Sequence, residues 1–157
     1  MKIVIKKSST ADTRTCDWSK VSKEELLEVS KQHINDVRQG IDCLIDMLVC
    51  IRDDHDRTKI SEIDLFWEDF KTGFRSDKWW EMHKRVERHH LSDSRYIQDD
   101  INLLDVIEQI VDGVMAGMAR SGEFEMESLS DELLQKAYRN TVKLLLDRVE
   151  VKQDRDD

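Results

Sequence analysis

The chain has 157 residues, of which 39% are hydrophobic and 38% are charged, and its formal net charge at pH 7 is −9. This length suits one domain with a hydrophobic core, and the composition excludes an intrinsically disordered protein. The acidic charge argues against general nucleic-acid binding, because no basic face is available for a phosphate backbone.

Two further features of the sequence concern its cellular setting. No apolar run is long enough to span a membrane, and the N-terminus lacks the apolar segment of a signal peptide. The 3 cysteines are an odd number without a Cys-x-x-Cys spacing. We therefore expect free thiols in a reduced, cytoplasmic setting rather than a disulfide framework.

Little in the chain interrupts helices, since it contains no proline and only 5 glycines. Residues 1–7 alternate as a short strand, and we assign residues 1–18 to an N-terminal extended arm. Residues 19–150 are predicted to form a single helical domain, and residues 151–157 a charged tail. The predicted fold is all-α, a compact bundle of five or six helices.

The first predicted helix begins at Ser22-Lys23-Glu24-Glu25, a capping box in which the serine and the second glutamate satisfy free N–H groups. Apolar residues, with one serine among them, then recur at alternating steps of three and four, and we expect this stripe to face the core. Its members are Leu27, Ser30, Ile34, Val37, Ile41, Leu44, Leu48 and Ile51. Cys43 and Cys50 lie beside the stripe and are predicted to be core thiols.

Three later helix starts are predicted from serine and acidic residues, at Ser61-Glu62-Ile63-Asp64, at Ser76 and at Ser128-Leu129-Ser130-Asp131. The helix that starts at Ser76 would carry four residues on one face, with His89 off that face unless the helix has ended. These four are Trp79, His83, Val86 and His90.

The most apolar helix is predicted over residues 99–121, with Gly122 as its C-cap. Gly113 and Gly117 would let another helix approach it closely.

The 5 histidines all lie between positions 33 and 90, which is not typical of scattered structural histidines. They are His33, His55, His83, His89 and His90. Neutral imidazole is the commonest protein ligand for a catalytic divalent metal. His55 is followed directly by Asp56 and then by Lys59, so an imidazole, a carboxylate and an ammonium group stand together. We interpret this stretch as the centre of a metal site.

Three acidic residues, Asp105, Glu108 and Asp112, follow helical spacing in the most apolar helix. For Asp105, a solvated helix face remains an alternative. Asp112 is flanked on both sides by apolar residues, so its carboxylate needs a counter-charge, which a metal or a histidine supplies. Those neighbours are Ile110, Val111, Val114 and Met115.

A histidine, a His-Asp pair and a distant aspartate follow one another in this chain as His33, His55-Asp56 and Asp112. This order resembles the ligand order of the HD superfamily of metal-dependent phosphohydrolases. The chain resembles more closely a family of small uncharacterised helical proteins, with the motifs H-x-x-x-V, H-D-x-S-K-x-x-x-E, W-x-x-H, H-H and E-x-x-x-D. The matching residues are His33, Val37, His55, Asp56, Lys59, Trp80, His83, His89, His90, Glu108 and Asp112. Thr58 stands in the serine place, and Glu62 is displaced from the position of the motif glutamate.

The resemblance implies an HD-like helical fold around a divalent metal ion, which could be Mn, Mg, Co, Fe or Zn. The implied metal ligands are His33, His55, Asp56, His89, His90 and Asp112. The residues implied to act in catalysis are Lys59, Glu108 and His83. The implied substrate is a small phosphate ester, most plausibly a nucleotide or a nucleoside 5′-monophosphate, with Lys59 offsetting the phosphate charge.

The spacing leaves two questions open. If residues 22–54 form one straight helix, His33 and His55 lie roughly 33 Å apart and cannot share a metal. Either the helix turns back at Gly40, or His33 is not a ligand. His83 and His90 would lie roughly 10 Å apart along a helix, so that one of them would serve the substrate or a second metal.

The sequence supports an alternative function of another class. In this alternative the chain is a non-catalytic helical protein, the cluster is a structural metal site, and the protein binds a protein partner. Homo-oligomer formation is left open for either function.

Overall fold

The computed structural model describes residues 2–7, 12–124 and 128–153. Within these ranges the chain forms six α-helices, a short 3-10 helix at Thr13–Thr15 and two β-strands. The elements in chain order are β1 (Ile3–Lys7), α1 (Lys23–Asp54), α2 (Arg57–Ser61), α3 (Ile63–Lys71), α4 (Lys78–Val86), α5 (Leu103–Ser121), α6 (Asp131–Leu146) and β2 (Val149–Gln153). The predicted all-α class and helix number are confirmed. None of the described helices has the length and apolar character needed to cross a membrane.

The chain divides into two compact units. The first comprises Met1–Leu48 and Leu144–Asp157, and the second comprises Val49–Lys143. The last turn of α1 therefore belongs to the second unit, together with α2 to α5 and most of α6.

The first unit contains a two-stranded parallel sheet. β1 pairs with β2 in a register that places Ile3 opposite Val149. The side chain of Gln39, on α1, accepts a hydrogen bond from the backbone N–H of Val4 at 3.3 Å, which ties the helix to the sheet. The strand predicted in residues 1–7 is thus present, and β2 includes the start of the predicted charged tail. Residues 154–157 of that tail lie outside the described residues.

The predicted capping box starts α1: Ser22 Oγ accepts from the backbone N–H of Glu25 at 3.1 Å, and the Glu25 carboxylate accepts from that of Ser22 at 2.8 Å. The prediction that the apolar stripe faces the core is wrong for its first half. Four stripe residues are 46–52% exposed, namely Leu27, Ile34, Val37 and Ile41. The helix instead buries Val29 and Cys43, on a different side. Cys50 is exposed rather than a core thiol.

In the second unit, an aromatic cluster packs α3 against α4. The rings of Phe66 and Trp79 stack with centroids 4.1 Å apart. Asp69, buried at the end of α3, accepts hydrogen bonds from the backbone N–H groups of Trp79 and Trp80 at 3.1 Å each. Asp69 therefore pairs with the free N–H groups at the start of α4. The prediction that Ser76 caps this helix is wrong, since the Ser76 hydroxyl donates to the Asp69 carboxylate.

Helix α4 ends at Val86, so the prediction of one helical face that includes His90 is wrong. The backbone N–H of Glu87 closes the last turn on the carbonyl of His83 at 2.9 Å. His89 and His90 lie in the loop that follows. Because the chain turns here, the ring of His90 lies close to that of His83 on α4. In a continued helix, the two rings would be separated along the helix axis.

Helix α5 begins at Leu103, with Asn102 as its cap, and ends at Gly122, whose φ of 75° confirms the predicted C-cap. The close approach at Gly117 comes from the chain after the helix rather than from another helix. A Cβ at Gly117 would lie 2.8 Å from the carbonyl oxygen of Glu123, so a side chain there would displace backbone. Leu91, Ile101, Val106 and Ala137 form the buried apolar cluster beside the start of α5.

Asp105 is buried, so the alternative of a solvated face is wrong. Its carboxylate accepts two hydrogen bonds from the guanidinium of Arg88, at 2.8 and 2.9 Å, and one from the backbone N–H of Asn102 at 2.8 Å. This pairing offsets the cost of burying the charge and joins the loop after α4 to α5.

Candidate metal centre

Three parts of the second unit bring the predicted site residues together. The junction between α1 and α2 carries His55 and Asp56, α4 and its following loop carry the later histidines, and α5 carries two acidic residues. Asp56 has a φ of 54°, in the left-handed region that aspartate tolerates better than most residues. This conformation ends α1 and starts α2 within two residues.

Asp56 lies at the centre of the cluster. Its Oδ1 atom is 3.4 Å from Nε2 of His83 and 3.8 Å from Nε2 of His89, and its Oδ2 atom is 3.5 Å from Nε2 of His55. Two trios of ligand atoms form around it, each with all its atoms within 4.8 Å of one another. One is His55, Asp56 and His89, and the other is Asp56, His83 and His90. The Asp56 carboxylate is common to both trios.

A hydrogen-bonded chain behind His83 determines which ring nitrogen carries the proton. The Thr58 hydroxyl donates to the carboxylate of Glu87 at 2.7 Å and lies 2.6 Å from Nδ1 of His83. Because a hydroxyl has one hydrogen to donate, Thr58 must accept from Nδ1–H. The lone pair of Nε2 then points toward Asp56.

His83, which is fully buried, and His90, which is partly buried, are both neutral at physiological pH. Burial lowers the pKa of His83 to about 3, because the charged imidazolium loses its hydration. Burial also lowers the pKa of His90 to about 4, with the charge of His89 acting in the same direction. A neutral imidazole offers a lone pair, which is the form that binds a metal ion.

Several buried polar atoms of the cluster have no hydrogen-bond partner within the described ranges. These atoms are Oδ1 of Asp56, Nε2 of His83, Nε2 of His90, and both ring nitrogens of His89. Buried polar groups are normally paired, so this concentration around one carboxylate needs a physical explanation. A cation that accepts several lone pairs supplies one, and the residues present therefore fit a divalent metal.

The spacing of the ligand atoms agrees with this interpretation. Ligands held about 2.1 Å from a tetrahedral metal lie roughly 3.4 Å from one another. Asp56 lies 3.5 Å from His55 and 3.8 Å from His89 of one trio, and 3.4 Å from His83 of the other. Nitrogen and carboxylate oxygen donors together suit Zn, Fe, Co or Mn.

Glu108, on α5, lies against two of the imidazoles and orients one of them. Its Oε1 atom is 2.9 Å from Nδ1 of His55, in hydrogen-bond geometry, and 3.1 Å from Nδ1 of His89, where the angles are not those of a hydrogen bond. Burial opposes ionisation of each group, but their attraction is stronger and raises the pKa of His89 while lowering that of Glu108. Glu108 therefore holds the His55 ring with Nε2 directed at Asp56.

Asp112 lies on the same side of α5, with Oδ1 3.7 Å from Nε2 of His55. Its side chain is 36% exposed, so it stands at the solvent side of the cluster. The apolar neighbours on which its prediction rested do not enclose it, since Ile110, Val111 and Met115 are more than half exposed. Its carboxylate reaches the cluster through the geometry of α5 and not through a surrounding core.

Lys59 is at the edge of the cluster, where its ammonium group donates to Oδ2 of Asp56. Burial alone would raise the pKa of Asp56, but the hydrogen bond and charge of Lys59 lower it. Two other basic side chains are paired with acidic partners, Arg88 with Asp105 at 2.8 Å and Lys84 with Glu81 at 3.0 Å.

His33 is the one predicted ligand that the structure does not bring to the other site residues. Helix α1 passes through Gly40 without a break, so the turn-back at Gly40 does not occur. His33 lies in the first unit, with Nδ1 3.5 Å from the carboxylate of Asp12. By contrast, the ring centroids of His83 and His90 are 4.7 Å apart, because the helix has ended between them.

Two residues of the site are not predicted from the sequence. Thr58 enters the sequence motif only in the serine place, although its hydroxyl sets the proton position of His83. Glu87 had no signal, because its partner Thr58 precedes it by 29 residues and belongs to another helix. Trp79 stacks on the His83 ring with centroids 4.4 Å apart, which fixes the plane of that imidazole.

No protein family, curated protein or solved structure matches the chain, so the functional conclusion depends on this geometry.

Proposed function

We propose that the protein is a metal-dependent phosphohydrolase of HD type that acts on a small phosphate ester, a nucleotide or a nucleoside 5′-monophosphate of the cytoplasm. One observation carries the metal-dependent part. Nε2 of His83 and Oδ1 of Asp56 are buried acceptors 3.4 Å apart with no hydrogen-bond partner among the described residues. Two lone pairs that face each other in this way repel unless a cation lies beside both.

Asp56 is the residue that would hold metal in either trio, with His55 and His89 on one side and His83 and His90 on the other. Asp112 would add an exposed carboxylate next to His55. When bound, a divalent ion lowers the pKa of a water molecule and polarises a phosphoryl oxygen.

The other residues prepare these ligands. Thr58 keeps the proton of His83 on Nδ1, and Glu108 accepts from Nδ1 of His55, so that each Nε2 is free to bind. Trp79 packs against His83 and excludes water from its inner face, because both side chains are fully buried. The ligand set is therefore oriented before any ion or substrate arrives, which lowers the cost of binding.

Lys59 supports the phosphate part of the proposal. Its side chain is 42% exposed and its ammonium contacts the carboxylate of Asp56, which supports a role in holding a phosphate from the solvent side of the cluster. A cation at this place offsets the negative charge that develops during phosphoryl transfer. The net charge of −9 favours a small substrate over a nucleic acid.

Elemental analysis of protein purified without chelator is the first test. We expect at least one divalent metal per chain, and a rise in thermal midpoint when Mn, Co or Zn is added to stripped protein. Asp56→Asn should abolish both effects, whereas Asp64→Asn, at an exposed position of α3, should retain them. Metal-free protein that also shows no thermal response would contradict the proposal.

A hydrolysis screen over phosphate esters with added Mn or Mg then tests the reaction. Release of inorganic phosphate from nucleoside monophosphates, lost in Asp56→Asn, is the expected result. Tightly bound metal without turnover of any ester would favour the alternative, a structural metal site. The near-complete burial of His83 and His89 is the observation consistent with that alternative.

A further inference from the structure

Helix α1 carries an apolar seam that its own chain leaves largely uncovered. The seam repeats every seven residues, with Leu27, Ile34, Ile41 and Leu48 at one position and Ser30, Val37, Leu44 and Ile51 at the other. Leu27, Ile34, Val37 and Ile41 are 46–52% exposed, and the other four seam residues are partly buried. A helix of 32 residues with such a face is normally stabilised by packing that face.

The spacing of the seam identifies the kind of partner. Strict alternation of three and four gives a period of 3.5 residues, which is the period of a left-handed coiled coil rather than of a helix on a globular core. The seam extends over four heptads, which is long enough for a stable coiled coil. Its natural partner is a helix with the same repeat, and a second copy of α1 has it.

The charges beside the seam select the direction of the second helix. Two sets of residues flank the seam. The first set directly follows the seam residues of the Ser30 series and consists of Lys31, Arg38, Ile45 and Arg52. The second set directly precedes the seam residues of the Leu27 series and consists of Leu26, His33, Gly40 and Met47. In an antiparallel pair the first set faces itself, which brings basic side chains together. In a parallel pair the first set faces the second, which contains no Lys, Arg, Asp or Glu.

We propose that the protein forms a parallel, in-register homodimer through the α1 seam from Leu27 to Ile51. A two-fold axis along the seam places each residue opposite its own copy, which is the commonest symmetry of homo-oligomers. The dimer covers the exposed apolar side chains of both helices. This assembly is independent of the metal chemistry, since neither trio of ligands includes a seam residue.

Light scattering of the full chain after size-exclusion chromatography tests the assembly. The expected mass is twice the chain mass of 18.6 kDa. Ile34→Asp places a charge in the seam and should weaken dimerisation by at least about ten-fold. Asn35→Asp is the matched control, because it adds the same charge at the adjacent exposed position outside the seam. A monomeric wild type, or a dimer unaffected by Ile34→Asp, overturns the proposal.

Cysteine cross-linking tests the direction and does not depend on the folding of Ile34→Asp. In a chain with Cys16→Ser and Cys50→Ser, Ile34→Cys should form a disulfide-linked dimer under mild oxidation, because its copy lies directly opposite. Asn35→Cys should not. Cross-linking of Ile34→Cys only when mixed with Leu44→Cys would show an antiparallel pair and overturn the parallel arrangement.

Discussion

Nε2 of His83 and Oδ1 of Asp56 face each other across 3.4 Å, although the two residues lie on different elements and neither atom has a hydrogen-bond partner in the described parts of the chain. The proton of His83 is held on its other nitrogen by Thr58. The arrangement is therefore one of two acceptors, and its electrostatic cost is relieved by a cation.

Replacement of Thr58 tests whether this tautomer matters. Thr58→Val retains the volume but removes the acceptor for Nδ1–H, so that the His83 proton can move to Nε2 and block the lone pair. We expect metal affinity to fall roughly ten- to hundred-fold, as for other groups that orient a ligand from behind. Thr58→Ser keeps the hydroxyl and should bind metal as the wild type does.

Isothermal titration of stripped protein with Zn or Mn measures this difference, and circular dichroism checks that both variants fold. Equal affinities for the valine and serine variants would mean that the hydroxyl has no part in metal binding.

Asp112→Asn tests whether α5 contributes to the same site as His55. The substitution keeps the volume and removes a charge that lies 3.7 Å from Nε2 of His55. Metal affinity should fall about ten-fold or more, and hydrolysis should be lost. The fold should survive, because Asp112 is partly exposed and no charge is left buried without a partner.

Metal content and thermal midpoint are measured together for this variant. Asp99→Asn, at an exposed aspartate just before α5 that pairs with Lys136, is the control and should leave the metal content unchanged. Unchanged metal affinity in Asp112→Asn would remove Asp112 from the ligand set.

Lys59→Ala separates phosphate binding from metal binding. Since Lys59 contacts Asp56 without being a metal ligand, its removal should leave the metal content unchanged. We expect kcat/KM for a phosphate ester to fall by about a hundred-fold, which is typical of losing a group that stabilises developing charge. Lys78→Ala, at the exposed first residue of α4, should have no effect on either quantity.

Parallel loss of metal and activity in Lys59→Ala would instead give the lysine a structural role. An unchanged kcat/KM would show that Lys59 has no part in the reaction.

Arg88→Met tests the ion pair that joins the loop after α4 to α5. The Asp105 side chain is 3% exposed, and without the guanidinium its charge is buried without its cationic partner. The free energy of unfolding should fall by about 3 kcal/mol, as for other broken buried pairs. Arg95→Met breaks the pair with Asp93 on the surface and should change the free energy of unfolding much less than Arg88→Met does. Urea denaturation followed by circular dichroism measures both variants.

Local patterns in the sequence determined the helices and several of their ends. The capping box at Ser22 and the glycine at 122 both act on backbone groups within four residues, so a reader of the sequence can recognise them. The start of α4 shows the limit of such patterns. Asp69 satisfies the N–H groups of residues ten and eleven positions later, a spacing that no local rule contains.

The candidate site divides in the same way. Clustering and adjacency in the sequence indicated His55 and Asp56, and the helical spacing of Glu108 and Asp112 indicated that they share a side of α5. The sequence also indicated that His33 could join them only if α1 were interrupted at Gly40. Whether one glycine interrupts a helix depends on tertiary packing, and here α1 is continuous.

The tertiary structure alone decided which side chains meet Asp56 and what stands behind them. Thr58, His83 and Glu87 form one hydrogen-bonded chain only because α2 packs against α4. The tertiary structure also decided that the apolar seam of α1 stays exposed. A seven-residue apolar repeat specifies that a face must be covered, but the covering surface is a property of packing and assembly and not of the helix that bears the pattern.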